Sequence, residues 1–310
     1  MPSPGAAAAI AAMEARAAHA DLPMPDDLAA WDSLHEQQEA AVAPVNERTL
    51  GRYRPRLRTE RAAGLEVLVV TPPAVVPGER RIVYLHGGGY TSFSARSSLF
   101  ASVPLAHDLG LELWSIDYPR APRSKCDATV AQVAAALEAL LATAGHLLLV
   151  GDSAGGGLAL AATLALPPGA PRPRALALWS PWCDVTAADV SHRWLAAADP
   201  VLRHPGVLER SALAYAPAER HGDPDVSPVH GDFDAGFPPT LIQCGTREIL
   251  LSGCVRLYRR LDAAGCRACL DVYEGLHHSF QAITPDLPEA AYARRRLHRF
   301  FDEAVAESLR

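Results

Sequence analysis

At 310 residues, 49% hydrophobic and 21% charged, the chain can bury a sizeable core, which excludes an intrinsically disordered protein. A net charge of −6 excludes a general nucleic-acid binder, which would carry a basic face. No apolar run reaches the roughly 20 residues that a membrane-crossing helix requires, so no membrane span is expected.

The chain opens on AAAAIAAMEARAAHA (6–20), where the missing basic start and the charges of Glu14 and Arg16 argue against a secretory leader. An amphipathic helix and a cytoplasmic location are the expectations. A second helical piece, AWDSLHEQQEAAVAP (30–44), follows, and residues 1 to about 60 read as helical and strandless. From residue 61 to the end, strand-like runs alternate with helical ones. The strands are LEVLVV (65–70), RIVYLH (81–86), LELWSIDY (111–118), HLLLV (146–150), ALALWS (175–180), TLIQCG (240–245) and CLDVY (269–273). Most are near-continuous apolar runs, as parallel strands covered on both faces require. The helices between them include LFASVPLAHDLG, ATVAQVAAALEALLATAG and EILLSGCVRLYRRLDAAG, each closing on a glycine as a C-terminal cap would. The fold class is therefore α/β, a mostly parallel sheet with helices on both faces. Residues 186–235 interrupt the rhythm without strands. With the N-terminal segment they are expected to form a helical cap over the site, because loops after parallel strands usually build it.

Four stretches carry chemistry. HGGGY (86–90) ends a strand in three glycines whose backbone N–H groups no side chain shields. The amides of Gly87 and Gly88, with that of Ala154, form the expected oxyanion hole. GDSAG (151–155) sets Ser153 between a strand and a helix, the context of a nucleophile elbow, although a serine there could equally cap the helix. Tyr90 and Asp152, beside these motifs, are expected to contact substrate. A serine nucleophile needs a base and an orienting acid, in the chain order serine, acid, histidine. Glu248 in GTREILLSG and the pair His277–His278 in GLHHSF meet that order, each after a strand; Asp184 in SPWCDVT is the alternative acid. The six cysteines lie scattered in apolar segments. Cys266 and Cys269 form a lone C-x-x-C without the second ligand pair that a zinc site would want, so buried thiols and no metal are expected.

Together HGGGY, GDSAGG (151–156), IDYPRAP (116–122), SPWCDVT (180–186) and GLHHSF resemble the hormone-sensitive-lipase-like family of α/β-hydrolases, over roughly residues 65 to 310. The resemblance implies an α/β-hydrolase fold with a helical cap and a cofactor-free serine carboxylesterase acting on short- to medium-chain esters, with Ser153, Glu248 and His278 as triad. In the family pattern G-[ML]-x-H-x-F the histidine falls on His278 rather than His277. It also implies a small-molecule ester as the partner and a tendency to form homodimers. The chain departs from the family in carrying Glu248 where most members have Asp, Ser252 where a second acidic residue stands, and a reordered Asp117-Tyr118-Pro119-Arg120-Ala121-Pro122. Two other readings share these motifs: an amide or formamide hydrolase, and a ligand-binding relative without catalysis.

Overall fold

The computed structural model describes residues 2–15, 22–76, 78–203 and 205–308. In chain order the elements are α1 (Pro4–Ala15), α2 (Leu28–Tyr53), β1 (Arg56–Ala62), β2 (Leu65–Thr71), β3 (Arg80–Leu85), α3 (Leu99–Leu109), β4 (Leu113–Asp117), α4 (Cys126–Leu141), β5 (His146–Asp152), α5 (Ala154–Leu164) and β6 (Ala175–Trp179). Then follow α6 (Val190–Trp194), α7 (Pro205–Tyr215), β7 (Thr240–Arg247), α8 (Leu251–Ala263), β8 (Ala268–His277), α9 (Phe280–Ile283) and α10 (Pro288–Ser308).

All seven predicted strands form, as β2 to β8, and with β1 they make an eight-stranded sheet in the order β1-β2-β4-β3-β5-β6-β7-β8. From β4 to β8 the neighbours are parallel, whereas β2 runs antiparallel to β1 and β4. The continuous apolar runs have the cause that the sequence suggested: both faces of the sheet are covered. Val67 and Val69 of β2 point into one core with residues of α4, α5 and α8, while Leu68 and Val70 point into the other with α3 and α10.

The N-terminal segment departs from expectation in one respect. It is not strandless, because β1 begins at Arg56 and pairs along its whole length with β2 through a two-residue turn at Ala63–Gly64, both at positive φ. β1 is an edge strand, and its arginines and glutamate deter further pairing there. The predicted N-terminal helix is present as α1 over Pro4–Ala15, while residues 16–20 of that stretch lie outside the described residues. α1 packs on the C-terminal end of the fold: Ala6 sits in a small core with Leu276, Phe280 and Leu287, and Ser3 is hydrogen-bonded to Glu289. The described residues of 186–235 contain no strand and contribute α6, α7 and short helical turns. Among the described residues no helix is long and apolar enough to cross a membrane.

Candidate active site

The C-terminal ends of β3, β5, β6, β7 and β8 meet along one edge of the sheet, and their turns hold the chemistry-bearing side chains. Ser153 occupies the turn between β5 and α5 at φ 53°, ψ −121°, a conformation that a residue with a Cβ adopts only when its surroundings impose it. They do impose it. The Ser153 amide donates to the Trp179 carbonyl at 2.8 Å and the Ser153 carbonyl accepts from the Trp182 amide at 2.8 Å. The backbones also approach too closely for side chains: a Cβ on Gly155 would lie 2.1 Å from the Leu85 carbonyl oxygen, and one on Gly151 would lie 2.3 Å from that of Gly155. Although Ser153 stands at the helix N-cap, its hydroxyl caps nothing; it lies 2.9 Å from His278 Nε2.

His278 follows β8, with Nδ1 2.9 Å from Glu248 Oε2, which fixes the tautomer with Nδ1 protonated and Nε2 bare. Glu248, fully buried, lies in the turn after β7, where its Oε1 accepts from the Gly245 amide at 2.6 Å and the Ser180 hydroxyl at 3.0 Å. Burial of the ring opposes its charged form, but the hydrogen bond and charge of Glu248 outweigh it, so His278 titrates above its ordinary range.

The neighbouring candidates are engaged elsewhere. His277 bonds to the His278 carbonyl oxygen through Nδ1 and to Thr284 Oγ1 through Nε2, and burial holds its pKa below the usual histidine range. Asp184 accepts from the Thr186 amide and hydroxyl and pairs with Arg256; against the cost of burial, these keep its carboxyl below the usual range.

Two expectations at the oxyanion loop need correction. The Gly87 amide is not free: it donates to Asp152 Oδ1 at 2.9 Å, and the same oxygen accepts from Tyr84. The amides of Gly88, Gly89 and Ala154 have no hydrogen-bond acceptor among the described residues, which moves the loop's free glycine amides one residue further along than expected. The clue in the sequence was Asp152 itself, since a carboxylate at a buried strand end needs donors, and the glycine loop is the nearest source. Asp152 does line the cavity, though with one oxygen committed to the loop. Tyr90 does not line it; the ring is buried, stacked on Tyr215 at 3.8 Å between centroids and against Trp182 at 5.5 Å.

The reordered 117–122 segment still braces the loop. Tyr118 donates to the His86 carbonyl oxygen at 2.6 Å and its ring stacks on that of His86; Ala121 donates to Tyr90, and Arg120 to Phe93. Burial lowers the His86 pKa to about 4, so this ring is a neutral strut at physiological pH. α2 is strapped to the following loop. His35 bonds to the Thr91 carbonyl oxygen, and the Asn46 side chain donates to the Ser97 carbonyl and accepts from the Phe100 amide. Neither residue stood out in the sequence, because a lone His or Asn on a polar helix carries no pattern.

Ser153 and His278 open into a cavity of about 580 Å³. Its walls are Leu34, Val42 and Val45 of α2, Phe93 of the loop, Phe100 of α3, and Leu202 and Leu208 of the 186–235 segment. Ala282 and Ile283 of α9 complete the apolar surface. Elsewhere Cys126, Asp127 and Asp225 cluster closely, but Arg220 pairs with both carboxylates and already supplies the positive charge there. All six cysteines are free thiols, and Cys266 and Cys269 are among them.

Sequence and structure comparisons bear directly on this arrangement. A family profile described as alpha/beta hydrolase fold matches residues 82–282. The chain belongs to the α/β-hydrolase family. This α/β-hydrolase is 34% identical over 235 residues to an acetyl-hydrolase from Streptomyces hygroscopicus, covering 74% of this chain and 78% of that protein. It is 30% identical over 224 residues to an esterase from Acinetobacter venetianus, covering 71% and 73%. The crystal structure of an esterase from the bacterial hormone-sensitive lipase family superposes with a TM-score of 0.84 at 29% identity, over 98% of this chain and 99% of that one. The α/β-hydrolase thus falls in the hormone-sensitive-lipase-like branch, and ester hydrolysis is its reaction class.

Proposed function

We propose that this α/β-hydrolase is a serine carboxylesterase that cleaves neutral, short- to medium-chain acyl esters through an acyl-enzyme. Ser153 attacks the ester carbonyl as His278 Nε2 takes its proton, and the tetrahedral oxyanion is received by the Gly88, Gly89 and Ala154 amides. His278 returns the proton to the leaving alcohol, and water, activated by the same ring, releases the acid. Glu248 holds the tautomer and stabilises the imidazolium. The observation that carries this reading is the unbroken line from Ser153 Oγ through His278 to Glu248, 2.9 Å at each step, in a buried elbow whose serine makes no capping bond.

The cavity supports the substrate class. Its walls are mostly apolar, no Lys or Arg is among its described lining residues to attract an anionic substrate, and its volume suits a small ester. The six unpaired thiols are in keeping with a reducing cytoplasm. The test is hydrolysis of p-nitrophenyl esters of graded acyl length beside the matched anilides. Ser153→Ala should lose at least about 1,000-fold in kcat/KM and no longer take a fluorophosphonate label. An active, unlabelled wild type or an active Ser153→Ala enzyme overturns the mechanism. Preferential anilide cleavage moves the substrate class to amides.

A further inference from the structure

The triad leaves one hydroxyl unused. Ser279, directly after His278, is buried, lines the cavity, and sits in the left-handed region at φ 45°, ψ 40°. Its Oγ lies 3.3 Å from His278 Nε2, the atom that shuttles the proton, and 3.4 Å from the Trp179 carbonyl oxygen. A carbonyl oxygen can only accept, and the bare Nε2 already accepts from the Ser153 hydroxyl, so the Ser279 hydrogen is directed to Trp179 and an oxygen lone pair is left facing Nε2. While Nε2 is bare that lone pair has nothing to accept from it; once Nε2 carries the proton, Ser279 Oγ accepts a hydrogen bond from it.

The backbone holds this arrangement. The Ser279 amide donates to Ser180 Oγ at 3.0 Å, and the Ser180 hydroxyl donates to Glu248 Oε1. The oxygen beside Nε2 is therefore registered to the carboxylate on the other side of the ring.

On the triad reading proposed above, the geometry points to Ser279 as a positioning residue for His278, its hydroxyl oxygen accepting from Nε2–H and stabilising the imidazolium formed in both acylation and deacylation. The Ser279 hydroxyl gains and loses no proton. The proton moves only from Ser153, or later from water, to Nε2 and on to the departing oxygen.

The substitutions that test this are Ser279→Ala and Ser279→Gly. Both delete the hydroxyl, but alanine keeps a Cβ at positive φ, whereas glycine adopts that conformation freely. The ring also faces Glu248 from the turn after β7, Asp152 at the end of β5, Asp199 from the 186–235 segment and neighbouring His277. All of these persist in both variants, so a difference in pH profile reports the hydroxyl. Both variants should lose about three- to tenfold in kcat with KM unchanged. The acid limb of kcat/KM should move down by about half a pH unit, because the imidazolium is less stabilised. Loss in the alanine variant alone would assign the effect to backbone strain and overturn the inference, as would unchanged kcat and pH limb in both. With Ser153→Ala inactive in the same assay, such results leave the esterase reading standing; hydrolysis surviving Ser153→Ala overturns that reading and this inference with it.

Discussion

On the proposed mechanism the imidazole of His278 decides when the site works, because only its neutral form can accept the Ser153 proton. Its pKa lies above the ordinary 6.5, since Glu248 outweighs the effect of burial, so activity should rise with pH along a limb centred above 6.5. Glu248→Gln removes that charge. The acid limb should then shift down and kcat should drop by about 10³–10⁴-fold, because an amide no longer favours the tautomer with Nε2 bare. A pH–rate series on both proteins measures this, and an unmoved limb in the variant would detach Glu248 from His278. At this scale the sequence disclosed Ser153, Glu248 and His278, because each stands in a motif at a strand end. It counted Gly87 among the free amides, because the Tyr84–Asp152–Gly87 contacts join three separate segments and leave no local pattern. Tyr90 misled for a similar reason: a residue adjacent to the glycines in sequence turns away to stack on Tyr215.

Strands buried on both faces announce themselves as apolar runs, which is why β2 to β7 were legible; β8, the half-exposed edge on the other side, was legible only through the short run CLDVY. β1 was not, since an edge strand exposed to water is under no pressure to be apolar, and RLRTERA carries no hydrophobic alternation. α2 was read as a helix, but its place as a cavity wall was an inference from chain position; what holds it there is His35 and Asn46, whose partners lie 50 or more residues away. Asn46→Ala should therefore loosen the wall formed by Leu34, Val42 and Val45 and leave the Ser97 carbonyl and the Phe100 amide without partners. We expect a stability loss of about 1–3 kcal/mol. KM for longer acyl esters should rise about two- to fivefold, because a methylene group that loses its apolar contact forfeits up to about 0.8 kcal/mol. Turnover of the acetate ester should change little, since the triad does not touch α2. A chain-length profile beside a thermal melt checks this, and an unaltered profile in a destabilised protein would confine Asn46 to holding the fold.

Over the whole molecule, the titrating groups that the fold perturbs make it sensitive to acid in two stages. Burial lowers the pKa of His35, His86, His146, His192 and His277, so between the ordinary 6.5 and each folded value the unfolded chain binds more protons than the native one. Stability from these groups is complete above 6.5 and declines as the pH falls below it, for His86 continuing to about 4. His278 has the opposite sign: with its folded pKa raised, its contribution is present below 6.5 and is lost as the pH rises through the folded value. Among the histidines one opposes five, so their net slope follows the five; Asp152 and Asp189, whose pKa burial raises, oppose it together with His278. At pH 5, His86 alone accounts for about 2 kcal/mol at 1.36 kcal/mol per pKa unit. The second stage belongs to carboxylates such as Glu112, where bonds from Arg58, Trp114 and Thr71 overcome burial and bring the pKa to about 2, so its contribution disappears between about 4.5 and 2. Arg58 lies on β1, so this stage loosens the sheet edge that the sequence concealed. Thermal melts should show a Tm falling by several degrees between pH 7.5 and 5, before any carboxylate with a lowered pKa is protonated, and His86→Gln should flatten that first limb while leaving the second. A Tm that holds or climbs down to pH 5 would mean that these histidines are no more buried in the folded chain than in the unfolded one, and that the strut beneath the oxyanion loop is open to water.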